Sequence, residues 1–133
     1  MHTGSCLCGA VRFEVEGPLA PIQLCCCGHC RKAQGTAFAA NIPVASEAFR
    51  LLSGQAKLKE HRASPGKRRV FCGVCGSPVF SQRDETPQVL RLRAGLLDEP
   101  VEARPAFYFH TASKAAWWPP QGELPQHPGE APA

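Results

Sequence analysis

No run of apolar residues in this 133-residue chain approaches the length needed to cross a bilayer, so the sequence holds no helical membrane span. The opening Met1-His2-Thr3-Gly4-Ser5 has neither the basic start nor the apolar stretch of a secretory leader. No segment repeats, and no apolar periodicity supports a helix longer than a few turns. Acidic residues are also scarce: 11 Asp and Glu stand against 15 Lys and Arg, for a formal net charge of +4. That surplus does not indicate nucleic acid, because it counts every cysteine as neutral. Four thiolates on one Zn2+ bring −2 and three bring −1, which lowers the total to +1 if both sets form. These absences lead to the expectation of a cytoplasmic protein with reduced thiols, no membrane partner and no nucleic-acid partner.

What the chain does have is cysteine. Eight occur, in three groups: Cys6-Leu7-Cys8-Gly9, then Cys25-Cys26-Cys27-Gly28-His29-Cys30, then Cys72-Gly73-Val74-Cys75-Gly76. Between them lie short apolar–polar alternations separated by Gly and Pro turns. Val11, Phe13 and Val15 alternate with Arg12, Glu14 and Glu16, which is the pattern of a half-buried strand. Further strands are expected at 22–24, 36–44, 79–81, 89–94 and 106–110, with a short helical turn over Ser46-Glu47-Ala48-Phe49 before Arg50-Leu51-Leu52. A hairpin is expected from Lys57–Ala63 and Lys67–Cys72 around Ser64-Pro65-Gly66. Arg31–Gln34 is long enough for one helical turn, stopped by Gly35. The whole predicts a mainly β domain of short antiparallel strands over 1–118. Residues 119–133 carry five prolines and little apolar bulk, which predicts a loose, flexible tail.

In a reducing compartment, paired cysteines indicate metal or redox chemistry. The outer pairs Cys6/Cys8 and Cys72/Cys75 cannot each complete a tetrahedral site, but together they can. A site closed by four protein ligands is structural. Disulfides, buried free thiols or two separate metals are the other readings of the same four residues. In the central group, Cys25, Cys27 and Cys30 can face one zinc, leaving a fourth position open as in catalytic sites. Cys26 lies between two ligands and is set to point away. His29 is an alternative fourth ligand. The Cys27-Gly28-His29-Cys30 string also suits a dithiol oxidoreductase, but the expected helix is short and no βαβ pattern surrounds it. Three thiolates overcompensate the metal charge, so such a zinc acidifies water weakly yet still holds a thiol as thiolate or polarises a small carbonyl.

The order Gly4-x-Cys6-x-Cys8-Gly9-x-Val11-x-Phe13, Cys25-x-Cys27-x-x-Cys30-Arg31-Lys32-x-x-Gly35, Cys72-x-x-Cys75-Gly76 and His110…Ser113-Lys114-Ala115-Ala116-Trp117 resembles the glutathione-dependent formaldehyde-activating enzyme family, which includes the centromere protein V domain. The resemblance covers residues 4 to 126. It implies a β-tent-type zinc fold, a structural zinc on Cys6, Cys8, Cys72 and Cys75, and a catalytic zinc on Cys25, Cys27 and Cys30. It implies a carbon–sulfur lyase that makes S-(hydroxymethyl)glutathione from formaldehyde and glutathione. The chain departs from the family at Cys26, where His is usual. A glutathione-like substrate brings carboxylates, for which Arg31, Lys32 and Lys67-Arg68-Arg69 are candidates. Gly35, Phe38 and Trp117 are candidates for lining the pocket. The alternative is a zinc-stabilised binding module without turnover.

Overall fold

The computed structural model describes residues 1–98, 100–120 and 122–132. Ten strands and one short α-helix form its regular structure among the described residues. A three-stranded antiparallel sheet runs in the order β1 (His2–Ser5), β2 (Arg12–Val15), β5 (Phe49–Ser53). A seven-stranded sheet runs in the order β10 (Pro105–Phe109), β3 (Ile22–Cys25), β4 (Ala39–Ala45), β9 (Val89–Arg93), β8 (Pro78–Arg83), β7 (Lys67–Cys72), β6 (Leu58–Ser64). The helix α1 spans Gly28–Gln34.

The core lies where the two sheets meet. Val11, Phe13 and Val15 from the smaller sheet pack against Ile42, Val44, Val70, Phe80, Leu90 and Leu92 of the larger one. Phe49 bridges them, with ring centroids 5.2 Å from Phe13 and 5.6 Å from Phe80. Burying side chains of this size contributes about 1.5–3 kcal/mol each. Because successive strand residues point to opposite faces, one face of the larger sheet is committed to this core. The other face carries Asn41, Ser81, Arg91 and Arg93.

Gly54 shows how closely β2 and β5 approach within the smaller sheet. It takes φ +87°, and a Cβ there would sit 2.4 Å from the carbonyl oxygen of Ala10. Gly54→Ala is therefore expected to lower unfolding stability by about 2 kcal/mol, combining positive-φ strain with a backbone clash. A urea titration showing an unchanged midpoint would contradict this.

The mainly β expectation holds, with differences of detail. The β3–β10 pair is parallel; the other pairs are antiparallel. β1 was not expected, since His2-Thr3-Gly4-Ser5 has no apolar alternation; pairing with β2, not side-chain pattern, makes it a strand. The helix starts at Gly28 rather than Arg31, because Cys27 acts as its N-cap and accepts from the Cys30 N–H at 3.3 Å. The C-terminal segment, expected to be loose, adds to the open edge of β10. Tyr108 N–H donates to Pro125 O, His127 N–H to Tyr108 O, and His110 N–H to Gly129 O at 2.7–2.9 Å. Composition missed this because much of the hold is main-chain bonding, which needs few apolar side chains; Leu124, His127 and Ala131 add the side-chain contacts.

Candidate metal centre

Two groups of cysteine sulfurs converge. The first is Cys6, Cys8, Cys72 and Cys75, whose Sγ atoms all lie within 4.8 Å of one another. Cys6 and Cys8 follow β1; Cys72 ends β7. The group thus joins the small sheet to the large one. Gly9 and Gly76, each directly after a cysteine pair, take φ +81°. The turns they close aim backbone N–H groups at sulfur: Val11 to Cys6 at 3.3 Å and Val74 to Cys72 at 3.4 Å. A tetrahedral zinc with Zn–S near 2.3 Å requires sulfur–sulfur edges of roughly 3.8 Å. The Cys6–Cys8 and Cys8–Cys72 separations are 3.6 and 3.9 Å. The donor set therefore fits zinc in both chemistry and spacing.

The second group is Cys25, Cys27 and Cys30, also with all Sγ atoms within 4.8 Å of one another. Cys25 closes β3, Cys27 caps α1, and Cys30 lies in its first turn. No fourth His, Cys, Asp or Glu joins this group among the described residues. His29 is exposed and stays outside it. Cys26 follows Cys25 and points the opposite way. It is fully buried with Leu24 and Tyr108, and Phe38, Trp118 and Leu124 pack around them. A side chain at position 26 is therefore directed away from the three sulfurs, whichever residue stands there.

The strand register defines what surrounds the three thiols. Paired residues on neighbouring strands share a face, as do residues two apart on one strand. Cys25 pairs with Ala39, Asn41 with Arg93, Arg91 with Ser81, and Ser81 with Arg69; Lys67 is two residues from Arg69. Cys25, Asn41, Arg93, Arg91, Ser81, Arg69 and Lys67 thus occupy one face, opposite the core. Arg69 Nη2 approaches Cys30 Sγ at 3.9 Å. Arg93 is buried and bonded to neutral acceptors: Nε to Gln34 Oε1 at 2.8 Å, and Nη1 to Asn41 Oδ1 at 2.7 Å and to Ser81 Oγ at 3.3 Å. Burial pulls Arg93 down to about 10, which still leaves it charged near neutral pH.

The electrostatics follow from this packing. The Cys25 and Cys27 thiols hydrogen-bond to Cys30 and, with Lys67 and Arg69 adding positive charge, hold Cys30 far below the usual thiol range. Cys25 is pushed up by the same network, first by Cys27 and then by Cys30. Burial lowers Lys67. The thiol group is thus set to carry anionic sulfur, and a zinc ion suits such a donor set.

The other expected site residues are spread more widely. Lys32 is exposed on α1 and Arg31 is half-buried. Gly35 takes φ 67° and ends α1 by donating its N–H to Arg31 O, which gives it a capping role. Phe38 packs on Trp118 and Tyr108, with ring centroids 5.4 and 6.3 Å away. Trp117 is 71 % exposed, so of the two tryptophans it is Trp118 that joins the packed aromatic group. Arg68 lies on the other face from Arg69, with its guanidinium 5.4 Å from the Phe80 ring centroid. Sequence reasoning did not single out Arg91 and Arg93. Their alternation with Leu90 and Leu92 reads as a solvated face, but β9 is a central strand and α1 covers it.

Three comparisons bear on this arrangement. The profile of the glutathione-dependent formaldehyde-activating enzymes matches residues 1–113. A Halomonas elongata protein, provisionally named as such an enzyme, is 32% identical over 110 residues, covering 77% of this chain and 69% of its own length. The crystal structure of a Rhodobacter sphaeroides protein from structural genomics superposes with a TM-score of 0.64 at 25% identity, over 78% of this chain and 99% of that one. With the profile spanning both cysteine groups and nearly all the strands, the chain belongs to the glutathione-dependent formaldehyde-activating enzyme family.

Proposed function

We propose that this protein is a zinc-dependent carbon–sulfur lyase that joins a thiol, glutathione or a close relative, to formaldehyde or another small aldehyde, or reverses that step. The observation that carries the reading is the convergence of Cys25, Cys27 and Cys30 without a fourth protein ligand, on a sheet face lined by cations. Cys6, Cys8, Cys72 and Cys75 hold a structural zinc; Cys25, Cys27 and Cys30 hold a catalytic one. The catalytic zinc supplies Lewis acidity that favours sulfur as thiolate.

The chain's own residues do the rest. Lys67, Arg69, Arg91 and Arg93 place positive charge around the sulfurs and favour anionic sulfur there. α1 and the C-terminal segment wall the site: Gln34 reaches Arg93, and Ala131 packs on the group formed by Cys25, Cys30 and Phe109. In the reaction, the thiol sulfur bonds to the aldehyde carbon, the carbonyl π bond breaks, and the thiol proton ends on that oxygen. Free thiols at all eight cysteines suit the reducing cytoplasm.

The test is a metal count joined to a rate. Two zinc ions per chain are expected, one for each cysteine group. Formation of S-(hydroxymethyl)glutathione from formaldehyde and glutathione should exceed the spontaneous rate. A single zinc with a rate equal to the blank overturns the proposal.

A further inference from the structure

Lys67, Arg69, Arg91 and Arg93 share one face with the three thiols, yet none of them is ion-paired to a carboxylate among the described residues. The ion pairs among the described residues lie elsewhere, as with Arg62–Asp84 between β6 and the end of β8 and Arg83–Glu130 at the C-terminal segment. A zinc on three thiolates would neutralise only one of these four positive charges. Arg93 is anchored by neutral groups. Arg69 is not: Nη2 lies 3.9 Å from Cys30 Sγ, while Nη1 is buried with no hydrogen-bond partner. An unsatisfied buried guanidinium nitrogen is costly, and a carboxylate is the acceptor its planar fork suits best.

Beside it is a cavity of about 380 Å³ between α1 and β7, lined by Gln34, His61, Arg69, Phe71, Pro78 and Arg93 among others. Its walls are mostly apolar, with two guanidinium groups as its charged elements. Arg69 lines the cavity and also approaches Cys30 Sγ, so its side chain links the cavity to the three-thiol group.

We infer that Arg69, supported by Arg93, forms an anion subsite in this cavity that binds a carboxylate of the incoming thiol, so that the enzyme selects anionic thiols over neutral ones. This rests on the reading that the three-cysteine group receives a substrate thiol. It assigns recognition to the sheet face rather than to Arg31 and Lys32 on α1. The apolar walls accept the carbon chain that links the carboxylate to the sulfur. Arg69 is the specificity residue, because it lines the cavity, touches the thiol group and pairs with no carboxylate among the described residues.

The experiment compares the intact zinc-loaded protein with Arg69→Gln and, as a control for surface charge, Arg62→Gln. With formaldehyde as co-substrate, kcat/KM is measured for mercaptoacetate, which is anionic, and mercaptoethanol, which is neutral. Binding of S-methylglutathione, which has carboxylates but no free thiol, is measured by calorimetry. Removing a charge-assisted hydrogen bond is expected to lower the anionic-to-neutral ratio by about tenfold or more. S-methylglutathione affinity should fall by a similar factor, with Arg62→Gln leaving both readouts as in the parent. If Arg69→Gln lowers both thiols in parallel and loses zinc, Arg69 serves only Cys30 and the inference is overturned. Turnover with S-methylglutathione binding insensitive to Arg69 also overturns it, while leaving the lyase reading intact. Arg69-dependent binding without turnover of any thiol supports the subsite and sinks the lyase reading instead.

Discussion

Cys72→Ser is expected to cost the protein its fold rather than merely its rate. Cys72 is fully buried at the end of β7, and its sulfur lies 3.9 Å from that of Cys8, which belongs to the segment following β1. The two sheets share a core, but at this end it is the four-sulfur group that fastens them. Structural zinc sites supply on the order of 10 kcal/mol of apparent binding energy, comparable with the whole stability of a domain of this size. On the proposed structural zinc, replacing one thiolate by a hydroxyl would remove a ligand and leave three thiols crowded without full compensation. A drop in melting temperature of about 15 °C or more, or loss of the cooperative transition altogether, follows from a loss of several kcal/mol. Zinc content should fall by at least one ion per chain in the soluble fraction. Cys8→Ser should follow the same direction with a smaller effect, since Cys8 is exposed and water can solvate the substituted hydroxyl. A Cys72→Ser protein with unchanged melting and full zinc would show that the core alone holds the sheets together.

The contrast between this group and its surroundings explains how far sequence reading goes. Cysteine spacing is legible because ligand geometry is local: Cys6-x-Cys8-Gly9 and Cys72-x-x-Cys75-Gly76 each build a turn whose form depends on few residues, and the left-handed glycines follow directly. The alternation of Val11, Phe13 and Val15 is legible for the same reason, since one strand period decides which side is buried. Arg91 and Arg93 were not, because their environment depends on strand order. The same Leu-Arg-Leu-Arg pattern at a sheet edge would face solvent; on β9, between β4 and β8 and beneath Gln34, it buries Arg93 to 4 % exposure. Trp117 and Trp118 were separable only by direction, with one turned into the Phe38–Tyr108 group and the other left outside. The C-terminal segment escaped because its hold on β10 comes largely from backbone groups of Pro125, His127 and Gly129, which composition does not report, with only Leu124, His127 and Ala131 adding side-chain contacts.

Cys27→Ser is expected to keep the fold and lose the reaction. Cys27 is the N-cap of α1, with its side chain accepting from the Cys30 N–H, and serine is among the best residues for that position. The hydroxyl therefore preserves the helix start, and the near-isosteric change keeps the packing of this half-buried residue against Cys25, Cys30 and Phe109. What goes is the middle donor of the Cys25, Cys27, Cys30 group. Disturbing residues that only support a metal ligand already costs roughly 10- to 100-fold, so loss of a ligand should bring the rate down to the spontaneous blank, a fall of about 100-fold or more. The variant should retain its melting temperature within a few degrees and hold one zinc fewer. Cys26→Ala supplies the counterpart: its sulfur lies in the Leu24–Tyr108 cluster, 3.9 Å from the Leu24 carbonyl oxygen and away from the other three. It should lose about 1 kcal/mol of stability through a small cavity and keep both its zinc ions and its activity. The pair separates metal chemistry from packing at two adjacent positions. Full activity in Cys27→Ser, or its loss in a stable Cys26→Ala, would move the catalytic centre off the three-sulfur group.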